Sequence, residues 1–230
     1  MKKTKENTLI LVQARLNSQR CHRKMVRPFY DTNLMQIAID KLKKMTVLPF
    51  SNFYLSIYEQ ELIDIAEKNN VNYYKRSEKS ANSEGTPLTE IYEWWDKLPY
   101  EYVILINACC PFLSVETIDN FCKSYLQSNS DGMFGVIEKK NYFWTSEGDF
   151  LTPLKEGIMN TKTADPVLEA AHCLYAGKMS KIGQQIWMGD FTKKGDIELV
   201  SVPEEECFDI DHEWQFKLAE SMYRAKKEEL

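Results

Sequence analysis

The sequence predicts an α/β fold in which helices flank a mostly parallel β-sheet. Short apolar runs alternate along the chain with amphipathic segments of helical period, which is the pattern of strands joined by helical crossovers. Tyr102 to Ile106 (YVILI) is apolar throughout, as expected of a central strand covered on both faces. The 230 residues are 43% hydrophobic and 27% charged, as in ordinary globular proteins, so we expect a single domain spanning residues 1–230.

The first half of the chain alternates most regularly. Residues 9–14 form a short apolar run and residues 52–58 are rich in aromatic and branched side chains, so both segments predict strands. Apolar positions at helical spacing follow at 34–45 and 59–68, and a third short strand is predicted at 71–75. Strands separated by helices of this length are typical of right-handed crossovers and a parallel sheet.

The second half continues the pattern and then interrupts it. Thr86 and Pro87 predict a helix start, with threonine as N-cap and proline at the first helical position. A helix capped by Ser114 is predicted to run to Ser128. Strands are predicted at 133–137 and 198–202, with a helix at the C-terminus, while residues 138–176 lose the alternation and are interpreted as an excursion from the sheet.

Composition and charge argue against several classes of function. The net charge of −5 and the pI near 5.4 disfavour general nucleic-acid binding, which needs a basic face over much of a domain. No segment approaches the roughly 20 apolar residues of a membrane helix, and the apolar run at 9–12 is too short for a secretory signal. We therefore expect no membrane partner and a cytoplasmic location. The six cysteines lack C-x-x-C spacing, which favours reduced thiols.

Residues 13–28 (QARLNSQRCHRKMVRP), the basic loop, concentrate positive charge directly after the first predicted strand. The five cations are Arg15, Arg20, Arg23, Lys24 and Arg27, and no acidic residue occurs from Thr8 to Tyr30. Ligands of open α/β sheets bind beyond the carboxyl ends of the strands, and arginine and lysine suit phosphate oxygens, so the loop predicts a triphosphate site. A plainer alternative is that these side chains are solvated, or that Arg23 and Arg27 pair with acidic residues. Neither the P-loop nor the dinucleotide glycine motif occurs.

Asp209 and Asp211 form a second informative feature, just before the predicted C-terminal helix. In an extended segment residues i and i+2 point the same way, so both carboxylates could address one Mg²⁺. The alternative is that Asp211 only caps the helix and Asp209 is solvated. A triphosphate loop and a carboxylate pair for a hard metal together predict nucleotidyl transfer, in which a substrate oxygen attacks the α-phosphorus in line and pyrophosphate leaves.

Four stretches in fixed order carry a family resemblance: ARLNSQRCHRKMVRP, RSEKSANSEGTP, LINACCPFLSVETID and FDIDHEWQFKLAE. They resemble, in turn, the phosphate loop, the base-binding loop, the sugar-side loop and the metal motif of the cytidylyltransferases that make CMP-activated acid sugars, the acylneuraminate and CMP-KDO synthetases. The resemblance implies a Rossmann-like fold, CTP as co-substrate, Mg²⁺ as cofactor, and a small acid sugar, either a nonulosonic acid or a KDO-like compound, as acceptor.

The same resemblance implies roles for residues of the first and last motifs. Arg15 and Lys24 would hold the triphosphate, with help from Arg20. Asp211, with Asp209 behind it, would carry Mg²⁺. Arg15, Lys24 and Asp211 are therefore the predicted catalytic residues.

Two further expectations follow from the resemblance. In the base-binding loop, Arg76 and Ala81 would approach the cytosine, and Asn82 beside them is predicted to bind the nucleotide. Residues 138–176 would form a protruding arm through which two copies make a homodimer. EAAHCLYAG, residues 169–177, is similar to the strand that returns from that arm.

The chain departs from the family pattern at three places. His22 stands where the phosphate loop often has proline, and residues 107–110 (NACC) replace the more usual glutamine-proline-threonine-serine. Glu169 lies near the position where acylneuraminate enzymes tend to have an arginine for the substrate carboxylate. Lys139 or Lys140 could supply a replacement cation, although a surface role is the simpler expectation for both. These departures weaken sialic acid itself as the substrate.

Two alternative functions stay open. A glycosyltransferase of the GT-A type could use the D-I-D segment as its metal motif, and it would release a nucleoside diphosphate instead of pyrophosphate. A nucleotide-binding homologue that has lost catalysis would bind CTP without turnover. Among single residues, Trp94 is expected to be a packing residue, Cys109 a small buried residue, and His172 a hydrogen-bonded strand residue.

Overall fold

The computed structural model of the protein describes residues 2–82, 87–152 and 160–229. Its strands are β1 Thr8–Gln13, β2 Phe53–Ile57, β3 Asn72–Lys75, β4 Tyr102–Ile106, β5 Gly132–Lys139, β6 Val167–Lys178 and β7 Ile197–Ser201. They form one seven-stranded sheet in the order β3-β2-β1-β4-β6-β5-β7. β6 is antiparallel to its neighbours β4 and β5, and every other pairing in this sheet is parallel. The predicted α/β fold with a mostly parallel, Rossmann-like sheet is confirmed.

The α-helices of the described ranges are α1 Leu34–Lys43, α2 Gln60–Lys68, α3 Glu78–Asn82, α4 Leu88–Ile91, α5 Val115–Gln127, α6 Met179–Ile182 and α7 Glu213–Glu228. Short 3-10 turns occupy Phe50–Asn52, Glu93–Asp96, Thr161–Thr163 and Glu204–Glu206. None of these helices has the length and apolar character that a membrane span requires.

Helix capping follows the sequence at one predicted start and departs from it at another. Ser114 caps α5, because its side chain accepts a hydrogen bond from the Thr117 N–H. Thr86, the other predicted cap, lies outside the described residues. Pro87 occupies the N-cap position of α4 and not the first helical position, and the helix is only one turn long before a 3-10 turn replaces it.

The core has two layers, one on each face of the sheet. Ile10 and Val12 of β1 pack on the face that carries most of the long helices, whereas Leu9 and Leu11 pack with Trp94 on the opposite face. Successive residues of a strand point to opposite faces, so a strand that is apolar throughout fits a sheet covered on both sides. This arrangement leaves the strand ends as the place for polar chemistry.

The segment that leaves the sheet is shorter than the predicted 138–176. β5 continues to Lys139, and β6 begins at Val167 and lies between β4 and β5. The interpretation of residues 167–176 as outside the sheet is therefore wrong, and the returning strand implied at 169–177 is part of β6. Within the described part of the excursion, Trp144 and Phe150 form an antiparallel bridge.

Candidate active site

The candidate site lies at the edge where the parallel strands end. Ala14, directly after β1, accepts a hydrogen bond of 2.7 Å from the Arg76 guanidinium, directly after β3. The loop after β4 joins the C-terminal segment, because the Ile210 N–H donates to the Cys109 carbonyl oxygen at 3.0 Å. The ends of these three strands and the segment before α7 thus meet at one edge, as expected for an open α/β sheet.

Apolar residues in the basic loop and directly after it anchor the loop to the body of the protein. Cys21, Met25 and Phe29 are buried. The Phe29 ring packs edge-on against Phe216 of α7, with 5.1 Å between the ring centroids, and lies 5.4 Å from the ring of Tyr223. The loop is therefore held to the same helix that follows Asp211.

Two of the five loop cations have structural partners. Arg23 pairs with Glu61. Arg27 makes two hydrogen bonds with the Glu213 carboxylate, at 2.8 and 2.9 Å, and its guanidinium lies over the Phe216 ring. The plainer interpretation, pairing with acidic residues of the fold, is thus correct for Arg23 and Arg27.

Two other loop cations lie on the predicted metal ligand. Arg20 Nη2 is 3.0 Å from Asp211 Oδ2, and Lys24 Nζ is 3.4 Å from Asp211 Oδ1. Lys24 also donates to the Ile210 carbonyl oxygen, and its side chain is only 12% exposed. The structure therefore brings Arg20 and Lys24 of the basic loop together with Asp211, which lies 187 residues beyond Lys24 in the sequence.

Asp209 lies deeper than Asp211. One of its carboxylate oxygens, Oδ1, is buried and has no hydrogen-bond partner among the described residues. Burial raises the pKa of Asp209, and the charge of Asp211 acts in the same direction, whereas Lys24, Asn107 and His172 lower it. A carboxylate in this position gains from an additional cation.

Asp211 does not cap the C-terminal helix. α7 begins at Glu213, and the N-cap position is His212. The side-chain oxygen of Gln215 accepts from the N–H groups of both Asp211 and His212, at 2.8 and 2.7 Å. The alternative in which Asp211 serves only as the N-cap is therefore wrong, and its carboxylate is directed to the loop cations.

A cavity of about 250 Å³ opens beside the basic loop. Its lining residues are Gln13, Ala14, Arg15, Arg76, Ser80, Ala81 and Ile91. Arg15 Nη1 donates to the Ala81 carbonyl oxygen at 3.1 Å, and the Asn82 amide oxygen accepts from Asn17 at 3.3 Å. Arg15, Arg76 and Ala81 thus share one cavity, with Asn82 at its side. Residues 83–86 of the predicted base-binding loop lie outside the described residues.

Gln13 is a cavity residue that the sequence did not single out. The Trp94 indole N–H donates to Gln13 Oε1 at 3.0 Å, and Gln13 Nε2 lies 3.4 Å from the Ile91 carbonyl oxygen. Because tryptophan can only donate, this contact fixes which way the amide faces. Trp94 is fully buried, in agreement with its expected packing role. In the sequence, Gln13 could have been noticed as the polar residue that follows the apolar run at 9–12.

Arg76 is 3% exposed, although it lines the cavity. Burial lowers its pKa to about 10, while the charge of Glu59 acts in the opposite direction and Arg15 in the same direction as burial. Arg76 therefore stays positively charged at neutral pH.

The loop after β4 faces a strained residue of β6. Asn107 Nδ2 donates to the His172 carbonyl oxygen at 2.9 Å, and the Asn107 side-chain oxygen accepts from the Cys109 N–H. His172 has a φ of 54° and is exposed, with Nδ1 3.2 Å from the Tyr175 hydroxyl. A left-handed non-glycine residue within a strand is strained, which is common at functional sites. Burial raises the pKa of Cys109 to about 11, so that its thiol stays protonated at neutral pH.

The carboxylates of Asp209 and Asp211 fit a hard divalent cation. The buried oxygen of Asp209 lacks a partner, and Mg²⁺ in nucleotide sites is usually held by one or two carboxylates together with substrate phosphates. The described part of the chain contains no group of three or more histidine, cysteine or acidic side chains that could hold a metal ion. The donor set therefore suits an ion shared with phosphate better than a dedicated protein cage.

Lys139 does not present a free cation near Glu169. It is 3.6 Å from the Glu169 carboxylate and also pairs with Glu204. Both partners reduce the attraction of Lys139 for a substrate carboxylate, which favours the surface role expected for it over a role in substrate binding.

A Rossmann-like sheet whose ligand edge carries a basic loop, a polar cavity and a carboxylate pair is the arrangement expected of a nucleotide-binding α/β protein. A family model described as Cytidylyltransferase matches residues 9–166, more than half of the chain. The chain belongs to this cytidylyltransferase family.

Solved structures of low sequence identity share the fold. A CMP:2-keto-3-deoxy-manno-octonic acid synthetase complexed with CTP has a TM-score of 0.68 and 9% identity, covering 96% of this chain and 99% of that one. A cytidylyltransferase from Leptospira borgpetersenii serovar Hardjo-bovis (strain JB197) has a TM-score of 0.60 and 15% identity, covering 94% and 85%. A 4-diphosphocytidyl-2C-methyl-D-erythritol synthase from Anaerococcus prevotii DSM 20548 has a TM-score of 0.62 and 13% identity, covering 94% and 96%. No curated protein matches the chain.

Proposed function

We propose that this protein transfers a cytidylyl group from CTP to a hydroxyl of an acid sugar, a nonulosonic acid or a KDO-like compound, and releases pyrophosphate with the help of Mg²⁺. One observation carries the proposal: Arg20 and Lys24 of the basic loop contact Asp211. This contact supports the proposal because cations suited to phosphate lie next to a carboxylate suited to a metal. The acid sugar is supported by the motif resemblance and by the sugar-acid synthetase of the same fold.

The nucleotide would bind with its base in the cavity that Arg76 and Ala81 line and with its phosphates toward the basic loop. Arg15 lines the cavity and belongs to the loop, so it can connect the two parts of the ligand. Asn82 directly follows Ala81 and accepts a hydrogen bond from Asn17 of the basic loop. Backbone carbonyls and a fixed amide at Gln13 give the cavity the polar edge that a pyrimidine base requires.

The triphosphate would exchange partners with Asp211. Arg20 and Lys24 would turn from that carboxylate to phosphate oxygens, where they would stabilise the negative charge that develops on the leaving pyrophosphate. Mg²⁺, when bound by Asp211 and Asp209, supplies charge neutralisation on the phosphate oxygens. The acceptor hydroxyl then forms a bond to the α-phosphorus as the bond to pyrophosphate breaks and the hydroxyl proton is released to water, and no protein nucleophile is needed.

A pyrophosphate-release assay with CTP, Mg²⁺ and a panel of nonulosonic acids and KDO tests the proposal. Arg15→Ala and Asp211→Ala should each lower the rate about a hundredfold or more, since each removes charge stabilisation from the transition state. Arg224→Ala and Asp64→Ala are matched controls from outside the site and should keep the rate. Absence of pyrophosphate with every nucleotide and acceptor would contradict the proposal.

The same assay separates the alternatives. A glycosyltransferase would release a nucleoside diphosphate, and an inactive homologue would bind CTP in calorimetry without releasing pyrophosphate. Of these alternatives, the glycosyltransferase is disfavoured because the D-I-D segment follows β7, the last strand, whereas such metal motifs normally follow a middle strand.

A homodimer through the arm is part of the proposal. Trp144 and Phe150, which pair in the excursion, are 56% and 43% exposed, and Leu168 on the arm side of β6 is 43% exposed. Large apolar side chains exposed together favour an interface. Light scattering after size-exclusion chromatography should show a dimer, which Trp144→Ser with Phe150→Ser should shift to monomer. Trp214→Ser, at an exposed tryptophan of α7, is the control that should stay dimeric.

A further inference from the structure

Glu59 and Arg76 hold the backbone on both sides of Arg15. The Leu16 N–H donates to Glu59 Oε1 at 2.7 Å. Arg76 Nη2 donates to the Ala14 carbonyl oxygen at 2.7 Å. The residues immediately before and after Arg15 are therefore fixed by two oppositely charged side chains from different strand ends.

The side chain of Glu59 does not cap the helix that it precedes, although Glu59 lies at the helix start. Glu59 occupies the N-cap position of α2, yet its side chain makes no capping hydrogen bond there. The N–H groups of Leu62 and Ile63 bond instead to its backbone carbonyl oxygen. A carboxylate at a helix start normally serves the helix. Here it serves the basic loop.

The opposite charges of Glu59 and Arg76 also compensate each other. Glu59 Oε2 and Arg76 Nε are both buried without a hydrogen-bond partner in the described ranges. A buried charge is tolerated when an opposite charge lies near it, and removal of one partner leaves the other uncompensated. Glu59 is the foremost charge that favours the charged form of Arg76. The carboxylate thus supports both attachments of the loop, one directly and one through Arg76.

We propose that Glu59 is a positioning residue that, together with Arg76, sets the direction of Arg15 along the cavity, without touching the nucleotide itself. Arg15 lines the cavity and donates to the Ala81 carbonyl oxygen, so a change in its backbone would move its guanidinium relative to both base and phosphates. The part of this inference that concerns CTP rests on the proposed function. The part that concerns the loop backbone does not.

Amide hydrogen exchange tests the backbone part directly. In Glu59→Ala the Leu16 amide should lose at least about tenfold of its protection, because its charged acceptor is gone. The Ala14 amide, which bonds to the Ser56 carbonyl oxygen at 3.1 Å, is the internal control and should stay protected. Glu59→Gln, which keeps an acceptor oxygen and guards against a misfolded alanine variant, should retain part of the protection. Equal Leu16 protection in the wild type and in Glu59→Ala would overturn the inference.

A double-mutant cycle tests the effect on the nucleotide. Glu59→Ala should weaken CTP binding about tenfold when Arg15 is present and less than about twofold in the Arg15→Ala background. A merely structural residue would cause equal losses in both backgrounds, which would overturn the inference. Glu67→Ala, on the same helix, is the matched control and should bind CTP as the wild type does. If neither the wild type nor any variant bound CTP, the proposed function would fail. Hydrogen exchange at the Leu16 amide would still decide whether Glu59 positions the loop backbone.

Discussion

Phe29 joins the basic loop to α7, so replacing it should weaken both the protein and the site. The side chain is 0% exposed and contacts the rings of Phe216 and Tyr223 at centroid distances of 5.1 and 5.4 Å. Truncation of a buried phenylalanine to alanine typically costs about 3–5 kcal/mol. Since each kcal/mol shifts the melting temperature of a chain this size by about 2–4 °C, Phe29→Ala should melt about 6–20 °C lower.

The measurement is urea and thermal unfolding followed by circular dichroism. Phe50→Ala is the control, since it makes the same substitution at a ring that is 39% exposed, and it should cost less than about 1 kcal/mol. CTP binding should also weaken in Phe29→Ala at temperatures where that variant is still folded, because the loop loses its anchor on α7. A loss of stability no larger than that of Phe50→Ala would refute the reasoning.

Three further predictions concern buried ionisable groups. Asp209→Asn removes a buried charge, so it should raise the melting temperature at pH 7. The same substitution should lower Mg²⁺-dependent turnover at least about tenfold. A lower melting temperature would contradict the prediction. Burial lowers the pKa of Lys41 to about 8, so between pH 8 and 10.5 the unfolded chain binds more protons than the folded chain. The free energy of unfolding of the wild type, measured by urea titration, should therefore rise with pH across this range, and Lys41→Met should lack this rise. The same pH dependence in both proteins would contradict the prediction. Burial also raises the pKa of Cys122, so iodoacetamide at pH 8 should leave Cys122 unmodified in the native protein and alkylate it in urea, as mass spectrometry would show; modification of the native thiol would contradict it.

The sequence predicted the elements whose cause is local. β1 and β4 carry apolar runs that are buried on both faces, and their observed bounds differ from the predicted ones by at most one residue. Ser114 starts α5 because a capping side chain acts on the next turn. Patterns of this kind can be read from neighbours in the chain.

β6 could not be placed in the same way. Its position between β4 and β5 depends on pairing between distant residues, such as Tyr102 with Lys178. Its first half is largely exposed and its second half is largely buried, so the strand has no single hydrophobic period. The insertion of an antiparallel strand into a parallel sheet is a property of the whole fold and leaves no local signal.

The candidate site divides along the same line. Cations after the first strand and carboxylates near the C-terminus are visible in the sequence, and Arg20, Lys24 and Asp211 do meet. The sequence did not show which loop cations pair with acidic residues of the fold and which are left for a ligand, because the partner of Arg27 is 186 residues away. Glu59 was missed for the same reason, since its contact with Leu16 spans 43 residues.

A crystal structure with Mg²⁺ and a non-hydrolysable CTP analogue tests the central claim most directly. We predict the base in the cavity beside Arg76 and Ala81, the phosphates on Arg15 and Lys24, and the metal between the phosphates and Asp211. A nucleotide bound elsewhere, or phosphates turned away from Asp211, would contradict the account.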